Sequence, residues 1–182
     1  MNTGQMMLVL GALMLLSAVT LGVNRMLVTK TTTMLEAEAS LVGVSLAQSM
    51  LDEIQTKSYD AATAGGTRIW DSTLFTPSGG LGRSALESSN VPLPESPDTV
   101  SAYKSVKYYN DVDDYNRYKR YSFHPSLGTF TILDTVLYVQ EANPDLMSTP
   151  QTFYKKIVVT VTHPNMKYPL QLSDLAIYRR YF

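Results

Sequence analysis

The first 24 residues of the chain carry no charged side chain, and Arg25 is the first. Within them, residues 6–23 are apolar apart from small or weakly polar side chains. As an α-helix rising about 1.5 Å per residue, this stretch would be roughly 27 Å long and could cross the hydrocarbon of a bilayer. Residues 1–5 lack the basic start of a secretory signal peptide. The pattern predicts an apolar, membrane-compatible helix over residues 1–28.

The helical pattern continues beyond Arg25. No proline occurs before Pro77, so nothing forces a break, and an unbroken helix over residues 5–58 would be roughly 80 Å long. Residues 29–58 are amphipathic, and an apolar stripe at intervals of three and four predicts that this half packs on a globular domain over residues 29–182. The stripe consists of Leu35, Ala39, Val42, Leu46, Met50 and Ile54.

Residues 59–99 have a different composition, dominated by Gly, Ser, Thr, Pro and Ala. Such punctuation is typical of irregular structure. Scattered large apolar residues predict an ordered loop that is pinned to the domain by their side chains. These residues are Trp70, Leu74, Phe75 and Leu81.

The rest of the chain, residues 100–182, is predicted to form strands. In 154–163, "YKKIVVTVTH", the alternation places Ile157, Val159, Val161 and His163 on one face of a half-buried antiparallel strand. Residues 129–140 are apolar in both phases, which favours a central strand. Residues 168–181 change phase near Ser173 and Asp174, which predicts a β-bulge or a bend in the strand.

A further segment, residues 99–109, is predicted to be the first strand of the sheet. Together these elements predict an α+β fold, in which one long N-terminal α-helix packs on a small antiparallel sheet of about four strands.

The composition limits the kinds of binding and catalytic site that the chain can form. The formal net charge is −1, which gives no long-range attraction for nucleic acid, and the absence of Cys excludes disulfides and thiolate sites. His124 and His163 each precede a proline and are far apart in sequence. No nucleophile elbow or phosphate-binding glycine loop occurs. The sequence therefore predicts a protein that is not an enzyme and has no bound cofactor, with calcium as the one candidate ion.

The calcium hypothesis concerns residues 108–116, "YYNDVDDYN". Asp111, Asp113, Asp114 and Asn116 supply hard oxygen ligands at short spacing, as calcium requires. The stretch lacks the glycine and the distal glutamate of an EF-hand loop. A solvated acidic turn is the alternative.

Aromatic and basic residues alternate in residues 103–121, "YKSVKYYNDVDDYNRYKRY". Acidic residues balance the bases, so we expect cation–π packing and subunit contacts here and no nucleic-acid binding.

The chain resembles the type IV pilin-like family, in particular its minor pilins and secretion pseudopilins. The resemblance covers nearly the whole chain, and besides the apolar N terminus it rests on "LAQSMLDEI", "YYNDVDDYN" and "YKKIVVTVTHP…YPLQLSDLAIYR". It implies a pilin-like fold and a structural subunit of an extracellular filament, which sits in the inner membrane before the assembly machinery extracts it to the cell surface. Alternatives are a secretion pseudopilin or minor pilin, and a permanently anchored surface or periplasmic domain.

The N terminus differs from the family's pattern of a basic leader ending in Gly, followed by a mature chain with Glu at its fifth position. Cleavage after Gly4 would make Val9 the fifth residue, whereas Gln5 holds that position if Met1 is the mature terminus. The resemblance implies that one set of residues forms the filament core. These are Gln5, Leu8, Leu10, Leu13, Leu16, Val19 and Val23.

Overall fold

The computed structural model describes residues 2–95 and 103–179. They form an α+β arrangement, in which a long N-terminal helix packs against a small antiparallel sheet, and the predicted fold class is confirmed. The chain divides into two compact units, Met1–Glu38 and Ala39–Phe182. We call the second unit the sheet domain.

Helix α1 (Thr3–Gln55) is a single element, as the absence of proline predicts. In its β-branched stretch the hydroxyl groups are satisfied within the helix: Thr29 and Thr33 donate to the carbonyl oxygens of Arg25 and Thr29, both at 2.9 Å. We call residues 3–38 the outer half of α1 and residues 39–55 the domain half.

Four antiparallel strands form one sheet in the order β1-β2-β3-β4. They are β1 (Lys119–His124), β2 (Gly128–Tyr138), β3 (Tyr154–Thr162) and β4 (Leu170–Ile177). Gly128 begins β2 at φ 97°, a conformation that favours glycine in the tight β1–β2 turn. The predicted central strand is β2, an interior strand of the sheet, and the predicted half-buried strand is β3.

The core lies between the domain half of α1 and one face of the sheet. Ala39, Met50 and Ile54 of the predicted stripe are buried, and Val42 and Leu46 are partly buried against the same cluster. The stripe was wrong at its start, because Leu35 lies in the first unit and is 37% exposed.

Two small residues that the stripe omitted, Gly43 and Ala47, are buried on the same side of α1. A Cβ on Gly43 would meet Leu170 at 3.5 Å and Met166 at 3.6 Å, so β4 and the turn before it lie close to the helix backbone there.

Two strand predictions were wrong. The described part of the predicted first strand forms a short helix, α3 (Lys104–Tyr108), while residues 99–102 lie outside the described residues. The predicted β-bulge is absent from β4, which pairs with β3 without a break from Tyr154↔Ile177 to Val161↔Leu170. The polar residue that suggested it, Asp174, accepts a hydrogen bond from Gln55 at the end of α1.

The segment between α1 and β1 is mostly irregular and contains helix α2 (Ala85–Asn90). Phe75 is buried in a second aromatic cluster and Leu81 packs on its edge, as predicted for the loop. Trp70 and Leu74 lie outside this cluster and are 60% and 64% exposed. Ile69 packs there instead, as the buried neighbour of Phe75 in the cluster.

Candidate assembly helix and buried polar centres

The outer half of α1 is apolar and exposed. Every residue from 2 to 35 is exposed, and the large apolar side chains between Met6 and Val28 show 52–76% of their surface. By length and composition, α1 is one helix that could cross a membrane. Soluble monomers rarely expose a continuous apolar surface of this size. Lipid or other protein chains are the surroundings that would cover it.

Most of the residues proposed for a filament core lie on one side of this half: at about 100° per residue, all of them except Leu10 fall within an arc of about 140°. Leu8, Leu13 and Leu16 are 76%, 55% and 63% exposed. Successive positions in the set are three or four residues apart except for Leu8 and Leu10, so the set without Leu10 forms one broad stripe. The exposed members of the set are Gln5, Leu8, Leu10, Leu13, Leu16, Val19 and Val23.

Polar side chains in this half are satisfied within the helix. The hydroxyls of Ser17 and Thr20 donate to the carbonyl oxygens of Leu13 and Leu16, both at 2.8 Å. A hydroxyl bonded in this way does not need water, so these two residues are compatible with a hydrocarbon or a packed helical environment.

One buried polar centre joins the domain half of α1 to the sheet. Arg120 of β1 donates from Nη1 and Nη2 to the two carboxylate oxygens of Glu53 at 2.8 and 2.7 Å. The hydroxyls of Tyr115 and Ser105 donate to the same carboxylate at 2.7 and 3.0 Å. This bidentate pair is almost wholly removed from water, so it holds the helix in one register on the sheet.

The aromatic and basic run supplies the surroundings of this centre. The Arg120 guanidinium lies 3.7 Å from the ring centre of Tyr103, and the rings of Tyr109, Tyr115 and Tyr118 meet edge to face. The predicted cation–π packing is confirmed, and these contacts are made within the domain. Contacts of this run with other subunits stay a prediction.

His163 has a packing role. Its ring stacks on Phe130 with centroids 4.2 Å apart. Nδ1 accepts from the backbone N–H of Asn165 at 3.1 Å, which leaves Nε2 to donate to the carbonyl oxygen of Leu127 at 2.9 Å.

Asp134 of β2 is fully buried, and within the described residues neither of its carboxylate oxygens has a hydrogen-bond partner. Burial raises the pKa of this carboxyl well above its usual range, and the nearby Arg120 charge only partly opposes the effect. The neutral acid is therefore the form that the core favours.

The acidic turn is buried, so the alternative of a solvated turn was wrong. Asp111, Asp113 and Asp114 are each only 2% exposed. Backbone N–H groups of the turn donate hydrogen bonds to two of these carboxyl groups. Asp111 Oδ1 accepts from residues 113 and 114, and Asp114 Oδ2 accepts from residues 110 and 111. Burial and the neighbouring charges of Asp113 and Asp114 raise the pKa of Asp111 to about 9. Burial and the nearby Glu87 raise the pKa of Asp114 to about 7.

Lys155 is the residue of this region that sequence reasoning missed. Its side chain is fully buried, and Nζ donates to Asp113 Oδ1 at 2.5 Å, to Asp60 Oδ2 at 2.9 Å and to the Tyr59 carbonyl at 2.8 Å. Its position in β3 was the available signal, because residue 155 shares the inward phase of Ile157 and Val159. A lysine in that phase needs buried acidic partners.

The four proposed calcium ligands lie in one turn but face different partners. Asp113 bonds Lys155, while the Asn116 side chain donates to the Leu81 carbonyl at 3.0 Å and accepts from Val136 N–H at 3.2 Å. Among the described residues, no group of three or more His, Cys, Asp or Glu side chains could hold a metal ion. Calcium binding at Asp111, Asp113, Asp114 and Asn116 stays a prediction, which melting curves in calcium and in chelator would test.

Comparison with known proteins found no match for this chain among family models, curated proteins or solved structures. Inference about function therefore rests on the residues and their geometry.

Proposed function

We propose that the chain is a structural subunit of an extracellular, type IV pilus-like filament that polymerises through the outer half of α1. The observation that carries the proposal is the exposed apolar surface of residues 6–28, on the same helix whose domain half is built into the core of the sheet domain. A helix shared in this way can carry a folded domain while its free half associates with other copies.

The outer half of α1 is compatible with both environments of such a subunit, the membrane and the filament core. In the inner membrane its side chains face lipid, and after extraction they face equivalent helices, which are just as apolar. Gly11 and Gly22 have no side chain and lie on an exposed stretch, so the backbone of a neighbouring helix could approach closely there. Repetition of one such contact gives a non-closing interface and hence a helical filament.

The test is electron microscopy of filaments sheared from cells that express the full chain, with mass spectrometry of the filament subunit. Leu13→Arg places a charge in the apolar half, where burial costs several kcal/mol in lipid or in a helical core. We expect wild-type filaments that contain the chain and none from the variant. Leu86→Arg is the matched control, because Leu86 is 74% exposed on α2, and it should assemble.

Two results would overturn the proposal. Filaments from Leu13→Arg in normal yield would show that the outer half does not form the core. A wild-type chain that stays in the membrane fraction, with no filaments, would favour the permanently anchored domain instead. A chain found only as a trace component of another protein's filament would favour the minor pilin or pseudopilin alternative.

A further inference from the structure

The triad of Lys155, Asp113 and Asp60 is an unusual group of charges. All three are buried, and the Lys155 side chain has no exposed surface. The aromatic rings of Tyr59 and Tyr138 have their centres 4.5 and 5.2 Å from Nζ. Charges held without water in such a site pay a large desolvation penalty, and any reaction that removes two of them is favoured relative to the same reaction in solution.

The two carboxylates have different surroundings. Asp60 accepts from the backbone N–H of Ala62 and Thr76 at 3.1 Å each, from the Thr76 hydroxyl at 3.2 Å and from the Tyr138 hydroxyl at 3.3 Å, besides Lys155. Burial opposes the charge of Asp60, but the Lys155 charge and the backbone donors Ala62 and Thr76 hold the pKa of Asp60 below its usual value.

Asp113 is held in another way. Lys155 Nζ donates to its Oδ1 at 2.5 Å, and the carboxyl group of Asp111 also lies beside its carboxylate. Cγ is bonded directly to Oδ1, so Nζ lies near the separation of about 3–3.5 Å at which an amine can attack a carboxyl carbon. Asp113 is thus placed as the group attacked and Asp60 as the group that carries protons.

We propose that Lys155 and Asp113 form an intramolecular amide, an isopeptide bond, with Asp60 as the proton carrier. The Nζ–Cγ bond forms and one Cγ–O bond of Asp113 breaks. Two of the three ammonium protons leave with that oxygen as water, carried by Asp60, which ends as the carboxylate that began the reaction. Neither an oxidant nor a co-reactant is required, and the closed site excludes the water that would reverse the step.

The bond would link two parts of the domain that are distant in sequence. Residues 110–112 are bonded to the end of α1 through Ser58, whose N–H donates to the Asn110 carbonyl at 3.1 Å and whose carbonyl accepts from Val112 at 2.9 Å. Lys155 lies in β3. A covalent link here would tie the end of the long helix to an interior strand and restrict the unfolded chain. This inference does not depend on the proposed function.

The test is peptide mapping of the purified full-length protein by mass spectrometry. We expect a branched peptide that joins the segments of Lys155 and Asp113 and is lighter by one water than their sum. The mapping is preferred to an intact mass because N-terminal processing would also change the latter. Linear peptides that carry an unmodified Lys155 and an unmodified Asp113 would overturn the proposal, whatever any variant does.

Two variants test the roles. Asp60→Asn removes the proton carrier with little change of shape, and we expect unjoined peptides from a protein whose circular dichroism still shows the fold. A branched peptide from this variant would overturn the role of Asp60. Lys156→Arg is the control: Lys156 pairs with Asp145 at 2.7 Å, but the Asp145 side chain is 86% exposed, so the branched peptide at Lys155 should remain.

Discussion

The two halves of α1 have the same secondary structure and opposite surroundings. In the domain half, buried residues such as Met50 and Ile54 alternate with exposed ones, because the sheet covers one side of the helix. In the outer half, residues 2–35 are exposed all round although most are apolar. Apolar surface is equally unfavourable in water in both halves. The domain half is therefore part of the core of the sheet domain, whereas the apolar surface of the outer half stays exposed in the single chain.

Truncation should separate the halves most clearly. Removal of residues 1–28 leaves the sheet domain, which begins at Ala39, intact. We expect a monomeric protein that unfolds cooperatively, since most of the exposed apolar surface is gone. Removal of residues 1–56 also removes the helix that covers the sheet, and we expect aggregation. Light scattering and thermal unfolding would compare the two, and equal behaviour would contradict the division of α1 into two halves.

The second-largest difference between the two halves is expected when one large apolar side chain in each is shortened to alanine. Ile54→Ala empties a fully buried position and should lower the free energy of unfolding by about 2–5 kcal/mol. Leu13→Ala removes similar volume from a side chain that is 55% exposed and should leave the unfolding of the domain unchanged. Denaturant unfolding in mild detergent, followed by tyrosine near-ultraviolet circular dichroism, measures both. A large effect of Leu13→Ala would mean that the outer half contributes to domain stability.

Dependence of stability on pH should come from the sheet domain, because the carboxyl groups whose pKa the fold raises strongly lie there. The folded domain raises the pKa of Asp111 to about 9 and of Asp114 to about 7, from 3.8. Between about pH 5 and 9 these two carboxyl groups hold more protons in the folded state than in the unfolded state. The free energy of unfolding of the domain should therefore decrease as the pH rises through this range.

Asp111→Asn keeps the Oδ1 acceptor used by residues 113 and 114 but cannot ionise. The decrease in melting temperature between pH 5 and 9 should therefore be smaller in this variant. Asp145→Asn, at an exposed site, should retain the wild-type slope. If Asp111→Asn had the wild-type slope as well, Asp111 would not be the group that titrates.

The smallest effect is expected where a helix glycine meets the sheet. In Gly43→Ala the new Cβ would lie at ordinary contact distance from Leu170 and Met166, and the helix would gain propensity. We expect stabilisation of the domain by up to about 1 kcal/mol. Gly11→Ala, in the outer half, should leave the melting temperature of the domain unchanged. Destabilisation by Gly43→Ala would show that Leu170 and Met166 leave no room for the added methyl group.

The sequence by itself determined the elements whose patterns are long and regular. An uninterrupted run without proline predicted α1, and alternation over nine residues predicted β3, because these periods follow from backbone geometry. The absence of charge before Arg25 likewise predicted a segment compatible with a membrane.

Only the tertiary structure decided what the polar residues do. The apolar phase of β3 gave no partner for Lys155, since Asp60 and Asp113 come from loops far away in the chain. The periodicity of α1 likewise gives no partner for Glu53, which pairs with Arg120 because the register of β1 places that residue against the helix. The segment 104–108 became a helix although its alternation suits a strand. Local periodicity records which side of an element is covered, whereas pairing of buried charges depends on which distant segments the fold brings together.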